Sequence, residues 1–432
     1  MSDELRHHLR GMGDDIEVPA DARGAVRDRV RRRRAARMAA CSVVVAVVVG
    51  IAAIAVASGE DEDPVEVRTD ETTTKPKGQC TNFTLLTGDL PRRNPGWRRI
   101  PEHEVATRSF PVTVWTGQDL LVWSGEAGSE SDVPPSGAAF DPVDERWRDI
   151  ADSPFGGRSE ASGVWTGDEM LVWGGSFAAP DDDRPGLAYD PDTDTWRELP
   201  PAPAAATEYP ASVWTGTEMV VIGGTRGGGV IAEPTVIAYD PVCDRWRQFP
   251  DPPRAAYRHS TAVWTGDEVI VWGGQYESNE ADTRGAALDP ETGRWRELAA
   301  APVRGFYHHS AVWTGDEMVV WGWVSGTTGE ENEAAAYDPS TDTWRKLPPA
   351  PLRPPPSCEC NGGQSAVWAG DRMLAWSGTL DRDGPLMLSL DPATGEWERL
   401  DRLDGPQLYH PPMVWTGAEA IIGARYGFAP PR

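Results

Sequence analysis

The string Val-Trp-Thr-Gly returns along this chain with its tryptophan at 115, 165, 214, 264, 313 and 415, and once as Val-Trp-Ala-Gly around Trp368. The seven copies are spaced 50, 49, 50, 49, 55 and 47 residues apart, and a near-fixed period of that size means one structural unit used repeatedly. Such units bury their apolar faces against their neighbours, so the repeat decides the architecture ahead of any local propensity. A second element runs between the copies: Asp-Pro at 141, 190, 240, 289, 338 and 391, each followed six positions after the aspartate by Trp147, Trp196, Trp246, Trp295, Trp344 or Trp397. One more tryptophan of this kind, Trp97, stands ahead of the first copy.

Each unit reads as four short strands. In the fifth copy HHSAVW is a strand, TGDE a tight turn, MVVWGW a second strand, AAAYDP a third and WRKLP a fourth. In the Asp-Pro turn the aspartate accepts backbone N–H groups and proline presets φ. Two positions before the tryptophan stand Asp194, Asp244, Gly293, Asp342 and Gly395; exchange of aspartate with glycine is what a left-handed residue selects, so these aspartates are read as turn formers, not cation ligands. The first copy has Glu145 there and departs from the rule. Strands such as SAVW and MVVW lack polar/apolar alternation, which implies burial on both faces. Four strands repeated seven times and closed on themselves make a β-propeller. The chain begins with a fourth-strand element at Trp97 and ends with the hairpin PMVWTGAEAIIGA. The last blade is therefore expected to be completed by the N-terminal piece, with residues 80–86 as its third strand; this closure leaves no frayed edge.

The apolar strand ending in Gly174-Gly175, Gly223-Gly224 or Gly273-Gly274, the turns Tyr189-Asp190-Pro191, Tyr239-Asp240-Pro241 and Tyr337-Asp338-Pro339, and the tryptophan after them resemble the kelch motif. The resemblance covers about residues 80–427, with Ser124-Gly125, Gly322-Trp323 and Ser377-Gly378 replacing the glycine pair and Phe140, Leu288 or Leu390 the tyrosine. It implies an all-β, seven-bladed propeller and leaves function open, because kelch propellers serve as binding modules and as enzymes.

Superposing the copies on the Val-Trp-Thr-Gly tryptophan places Phe110, Glu160, Tyr209, His259, His308, Gly363 and His410 five residues before it, at the start of the innermost strand and near one mouth of the central channel. One residue earlier stand Arg258, Tyr307 and Tyr409 in the fourth, fifth and seventh copies. Unlike the framework positions, these vary from copy to copy. Phe110, Glu160, Tyr209, Arg258, His259, Tyr307, His308, Tyr409 and His410 are thus the candidate ligand-binding residues. The competing structural reading is that histidines such as His259 cap nearby backbone. His309, one step along the strand, should face the other way and pack between blades. By resemblance to galactose oxidase, whose kelch-type propeller holds copper, Tyr307-His308 or Tyr409-His410 with His259 and Tyr209 would supply imidazole and phenolate ligands. The copper candidates are accordingly His259, His308 and His410. No cysteine can be placed for the Tyr-Cys cross-link of that enzyme. No Ser/His/Asp triad, phosphate loop or HExxH motif occurs. The expected function is a binding module for a protein or carbohydrate, without a cofactor; a copper oxidase or a sugar isomerase at the channel mouth is the enzymatic alternative. The 20 tryptophans invite a carbohydrate-stacking reading, but fourteen occupy the two framework positions and are read as blade packing.

Residues 38–58 are 21 residues without a charge, long enough to cross a bilayer as a helix. Arg23 to Arg37 holds eight arginines and one aspartate, so the N-terminus is expected in the cytoplasm and the repeats outside the cell. Ala55-Val56-Ala57 keeps a cleaved signal peptide open as an alternative. The expected organisation is a basic tail over 1–37, a single transmembrane helix over 38–58, an acidic stalk over 59–79 and the propeller over 80–432. Residues 1–58 carry ten arginines against seven acids, leaving 41 − 10 = 31 basic and 67 − 7 = 60 acidic residues in the rest; a surface so acidic repels phosphate backbones, and nucleic acid is not an expected partner. Outside the cytoplasm a disulfide is reasonable: Cys80 is expected to pair with Cys358 or Cys360, with Cys243 unpaired or bonded to another molecule.

Overall fold

A computed structural model describes residues 93–431, apart from 130–131, 177–184, 227–229, 232–234, 254–258, 275–282, 305, 325–331, 353–363, 379–380, 382, 406–407, 409–410. The basic tail, the apolar run 38–58, the stalk, and Cys80, Cys358 and Cys360 all lie outside these residues. No described helix is long and apolar enough to cross a membrane.

Seven four-stranded antiparallel sheets follow one another. Blade 1 is Val112–Trp115, Leu120–Trp123, Gly137–Asp141 and Arg146–Ile150. Blades 2 to 6 repeat that order, their first strands being Ser162–Trp165, Ala211–Trp214, Thr261–Trp264, Phe306–Trp313 and Ser365–Trp368. Each first strand neighbours the first strands of the blades before and after it, and the seventh touches the first, so the ring closes. Blade 7 joins Met413–Trp415, Ala420–Ile422 and Tyr426–Ala429 to the N-terminal Gly96–Arg99. Closure by the N-terminal strand agrees with the sequence. The third strand does not: Tyr426–Ala429 occupies the place expected for residues 80–86, pairing with Ile422 on one side and Arg99 on the other.

The second strands, such as Leu120–Trp123 and Val269–Trp272, are buried at every residue, as their lack of alternation requires. The core lies between blades. Seven apolar clusters each combine residues of two adjacent blades, for example Trp123 and Val112 with Met170 and Tyr189. Both framework tryptophans serve these interfaces. Every fourth-strand tryptophan donates its indole N–H, over 2.7 to 3.0 Å, to a carbonyl of the preceding blade. For Trp97, Trp196, Trp246, Trp344 and Trp397 the ring also meets a second-strand tryptophan of that blade, as in Trp123–Trp196 and Trp173–Trp246.

The Asp-Pro turns form as read: the Asp190, Asp240 and Asp289 carboxylates each accept two backbone N–H groups. The residue two before the tryptophan is left-handed in all six turns, including Glu145 at φ 51°, so the departure at Glu145 is one of residue type and not of backbone. In six blades the arginine following the fourth-strand tryptophan ties the first hairpin turn of its own blade, as in Arg197–Glu169, Arg247–Glu218 and Arg296–Glu268. Blade 6 has the charges exchanged: Arg372 takes the glutamate place, Glu398 the arginine place, and Glu398 favours the charged form of Arg372. Cys243, expected unpaired or bonded to another molecule, is disulfide-bonded, and its partner lies outside the described residues.

Candidate functional site

A glycine just after the second strand, Gly125, Gly175 or Gly224 in the first three blades, sets the geometry of the channel mouth. A side chain at Gly125 would meet the Ser109 carbonyl at 2.7 Å, and one at Gly175 the Ser159 carbonyl at 2.6 Å. The absence of a Cβ lets the chain entering each blade lie directly against the second strand, in the bridges Ser109–Glu126, Ser159–Ser176 and Glu208–Thr225. To turn from that bridge into the first strand, the next residue adopts a left-handed backbone: Phe110 at φ 51°, Glu160 at 59° and Tyr209 at 53°, with His259 at 58° in the same register. Bulky residues avoid this region, and holding one there costs about 1–3 kcal/mol. Glycine would relieve it, yet four consecutive blades keep a functional side chain.

These four side chains converge. The rings of Phe110 and Tyr209, from blades that are not neighbours, lie 6.0 Å apart at 90°. Tyr209 stacks on His259 at 4.8 Å, and its hydroxyl donates to Oε1 of Glu160. Backbone bonds link the same residues, Glu160 N–H to the Phe110 carbonyl at 3.3 Å and Tyr209 N–H to the Glu160 carbonyl at 3.0 Å. All four are half-buried. Residues of blades 1 and 3 can meet only at the centre of the ring, so the structure brings together four of the nine candidates. Arg258, Tyr409 and His410 lie outside the described residues, as do the side chains of Tyr307 and His308.

Blade 5 departs from the pattern. Its first strand runs two residues further back than the others' left-handed entry, as Phe306–Trp313, and its pairing shifts register between Tyr307 and Ser310. The shift turns His309 into the blade interface as expected. Its Nε2 lies 2.8 Å from the Thr261 hydroxyl, its ring is edge-on to Trp272, and Gly273 leaves it room. Burial holds its pKa down at about 4, so it is neutral at pH 7.

The donor set of a copper centre is not assembled among the described residues. Tyr209, the candidate second tyrosine, is committed to Glu160, Phe110 and His259. Cys243 sits in the Asp-Pro turn of blade 3 as a disulfide, so it cannot be the cross-linking thiol.

At the far end of the first strands a hollow of about 1460 Å³ lies over blades 3 to 5. Volume does not make it a site, because its chemistry is that of the framework. Glu218, Glu268 and Glu317 are paired with Arg247, Arg296 and Arg345, and Asp289 and Asp338 are occupied by their own turns. The mouth, where the copies differ, is the better candidate.

Comparison with known proteins agrees with this architecture. Residues 235–412 match the KLHDC2/KLHL20/DRC7 Kelch-repeats domain, and residues 209–253 match the Kelch motif. The solved structure of YjhT superposes with a TM-score of 0.51 at 13% identity, covering 72% of this chain and 99% of that one; similarity at this level speaks to the fold. No curated protein matches the chain.

Proposed function

Given that this chain is a kelch-repeat β-propeller, we propose that it is a protein-binding module that takes its ligand at the channel mouth. One observation carries the reading: Phe110, Glu160, Tyr209 and His259 occupy the same strained register and meet one another, while the tryptophans, turns and ion pairs around them repeat. A framework would use glycine at that register. We further propose display outside the cell on one transmembrane helix, because the uncharged run 38–58 follows eight arginines between Arg23 and Arg37.

Site-specific photo-cross-linking in cells that make the protein tests the binding reading. A photoreactive residue at Phe110 should give a discrete adduct with another polypeptide. The same residue at exposed Val143, on an outer turn, should not. No adduct from position 110, or the same adducts from both positions, would overturn it.

A further inference from the structure

We infer that Cys243 is bonded to Cys80, which fastens the chain entering the closing strand to blade 3; only the exclusion of Cys41 rests on the membrane reading above. Cys243 stands in the Asp-Pro turn of blade 3, at the place that Thr193, Thr292, Thr341 and Thr394 take in other turns. Its N–H donates to the Asp240 carboxylate at 3.1 Å, which holds it in that turn, and its sulfur is in a disulfide. Cys41, Cys80, Cys358 and Cys360 are the other cysteines of the chain, and topology separates them. In blade 3, Trp214 pairs with Met219, Met219 with Tyr239 and Tyr239 with Trp246, so the Asp-Pro turn lies at the same end as the first hairpin turn, remote from the mouth. Arg93 lies at that end too. It bonds Glu145 and the Pro142 carbonyl in the Asp-Pro turn of blade 1, and it stands 3.7 Å from Glu419 in the first hairpin turn of blade 7. Cys80 precedes Arg93 by 13 residues, an extended reach of about 43 Å. Sheets stacked about 10 Å apart put blade 3 about 20 Å from blade 1, well inside that reach.

Cys358 and Cys360 start from the wrong end. On one side their stretch follows Leu352, close to Ala350, which bonds Asn332 at the mouth end of blade 5. On the other it precedes Gln364 and Ser365, the mouth end of the first strand of blade 6. Cys358 is six residues from both Leu352 and Gln364, and Cys360 is four from Gln364, so neither reaches further than about 20 Å. Crossing the depth of a four-residue strand takes about 13 Å of that, and blade 3 is three blades further round. Cys41 lies within the uncharged run 38–58, which the membrane reading places in the bilayer and away from an external turn. The Cys80–Cys243 bond forms by thiol–disulfide exchange: the two thiols give up two protons and two electrons to an oxidised dithiol donor, which is reduced. Its consequence is for closure. Gly96–Arg99 is the outermost strand of blade 7 and pairs only with Tyr426–Ala429 among the described strands. With Cys80 bonded to blade 3 this strand is tethered on both sides, so one that detached would stay close to its edge instead of leaving with the N-terminal chain.

The experiment is a tryptic map of the full chain, purified in detergent micelles, with free thiols blocked by iodoacetamide before digestion and the digest analysed with and without reductant. The non-reduced digest should contain peptide 78–92 joined to peptide 227–245, and reduction should release both. Peptide 227–245 joined to 347–372 would overturn the pairing and leave the membrane reading standing; joined to 38–68 it would overturn both. A blocked Cys243 thiol, or peptide 227–245 joined to a second copy of itself, would also overturn the pairing. Thermal melts read the effect on closure. Cys80→Ser, Cys243→Ser and the double variant should all lose the same amount, about 5 °C or more, and reductant should bring the wild type down to their level. A double variant that loses the sum of the two single losses, or a wild type that reductant leaves unchanged, would contradict a shared bond that holds the closure. Where a variant fails to fold, the peptide map decides, because it needs only the wild-type chain.

Discussion

Where a blade has tyrosine before Asp-Pro, as at Tyr189, Tyr239 and Tyr337, it has aspartate at the left-handed position: Asp194, Asp244 and Asp342. Where it has phenylalanine or leucine, at Phe140, Leu288 and Leu390, that position is Glu145, Gly293 or Gly395. The structure gives the reason. The tyrosine hydroxyl donates to the aspartate at 2.7, 2.5 and 2.6 Å, so each aspartate pairs with its tyrosine as well as making the turn. Tyr337→Phe should therefore cost about 1 kcal/mol in the wild-type chain and less in an Asp342→Gly background, where only the bond that the hydroxyl accepts from Arg296 at 2.8 Å is left to lose. Urea denaturation of the four proteins in the cycle measures the coupling, and equal losses in both backgrounds would show that no pairing exists. The Asp/Gly exchange was legible as a demand on φ. Its second cause was also present in the letters, but reading it requires knowing that a residue on the third strand and one five positions on face each other across the turn.

A blade is stabilised mainly by what it packs against, and His309 shows the consequence for an element built from the same template as its neighbours. Blade 4 has Ser260 in the corresponding place; blade 5 inserts an imidazole against Trp272 and Gly273 of blade 4. Its folded pKa of about 4 lies below the 6.5 of a solvated histidine, so between those values the unfolded chain binds the extra proton. Stability should then fall as pH drops from 6.5 to 4, by about 3 kcal/mol from this group, and level off below. His309→Ser should be less stable at pH 7 but should lack this component of the slope in denaturant midpoints measured across that range; an identical slope in both proteins would place the proton elsewhere. Most of the blade was legible, because Val-Trp-Thr-Gly and Asp-Pro are the ends of its strands. The third strand of blade 7 was not. Tyr426–Ala429 is four residues long and is not followed by an Asp-Pro turn, since its partner Gly96–Arg99 arrives from the other end of the chain.

At the scale of the whole molecule the ring is held shut by that N-terminal strand. Trp97 donates to the Asp401 carbonyl and packs edge-on to Trp376 of blade 6. Arg98 makes two bonds to Glu419, a carboxylate with 2% of its side chain exposed. The same arginine–glutamate framework recurs in the other blades with greater exposure, as at Arg247–Glu218. Closure gives the fold a centre, and the centre gathers residues that are about 50 positions apart in sequence into one constellation. The ring register was legible by superposing the repeats. Its backbone strain was not, because left-handed φ at Phe110, Glu160 and Tyr209 arises where Gly125, Gly175 and Gly224 pack against the entering chain, a contact between segments that no local pattern encodes. The claim that this strain is retained for a ligand is tested most directly by Phe110→Gly. The glycine relieves an unfavourable backbone, offsetting the lost ring contact, so the unfolding free energy should stay within about 1 kcal/mol of wild type, while a photoreactive residue at His259 should no longer capture the partner. Loss of several kcal/mol of stability, or capture that continues unchanged, would contradict the account.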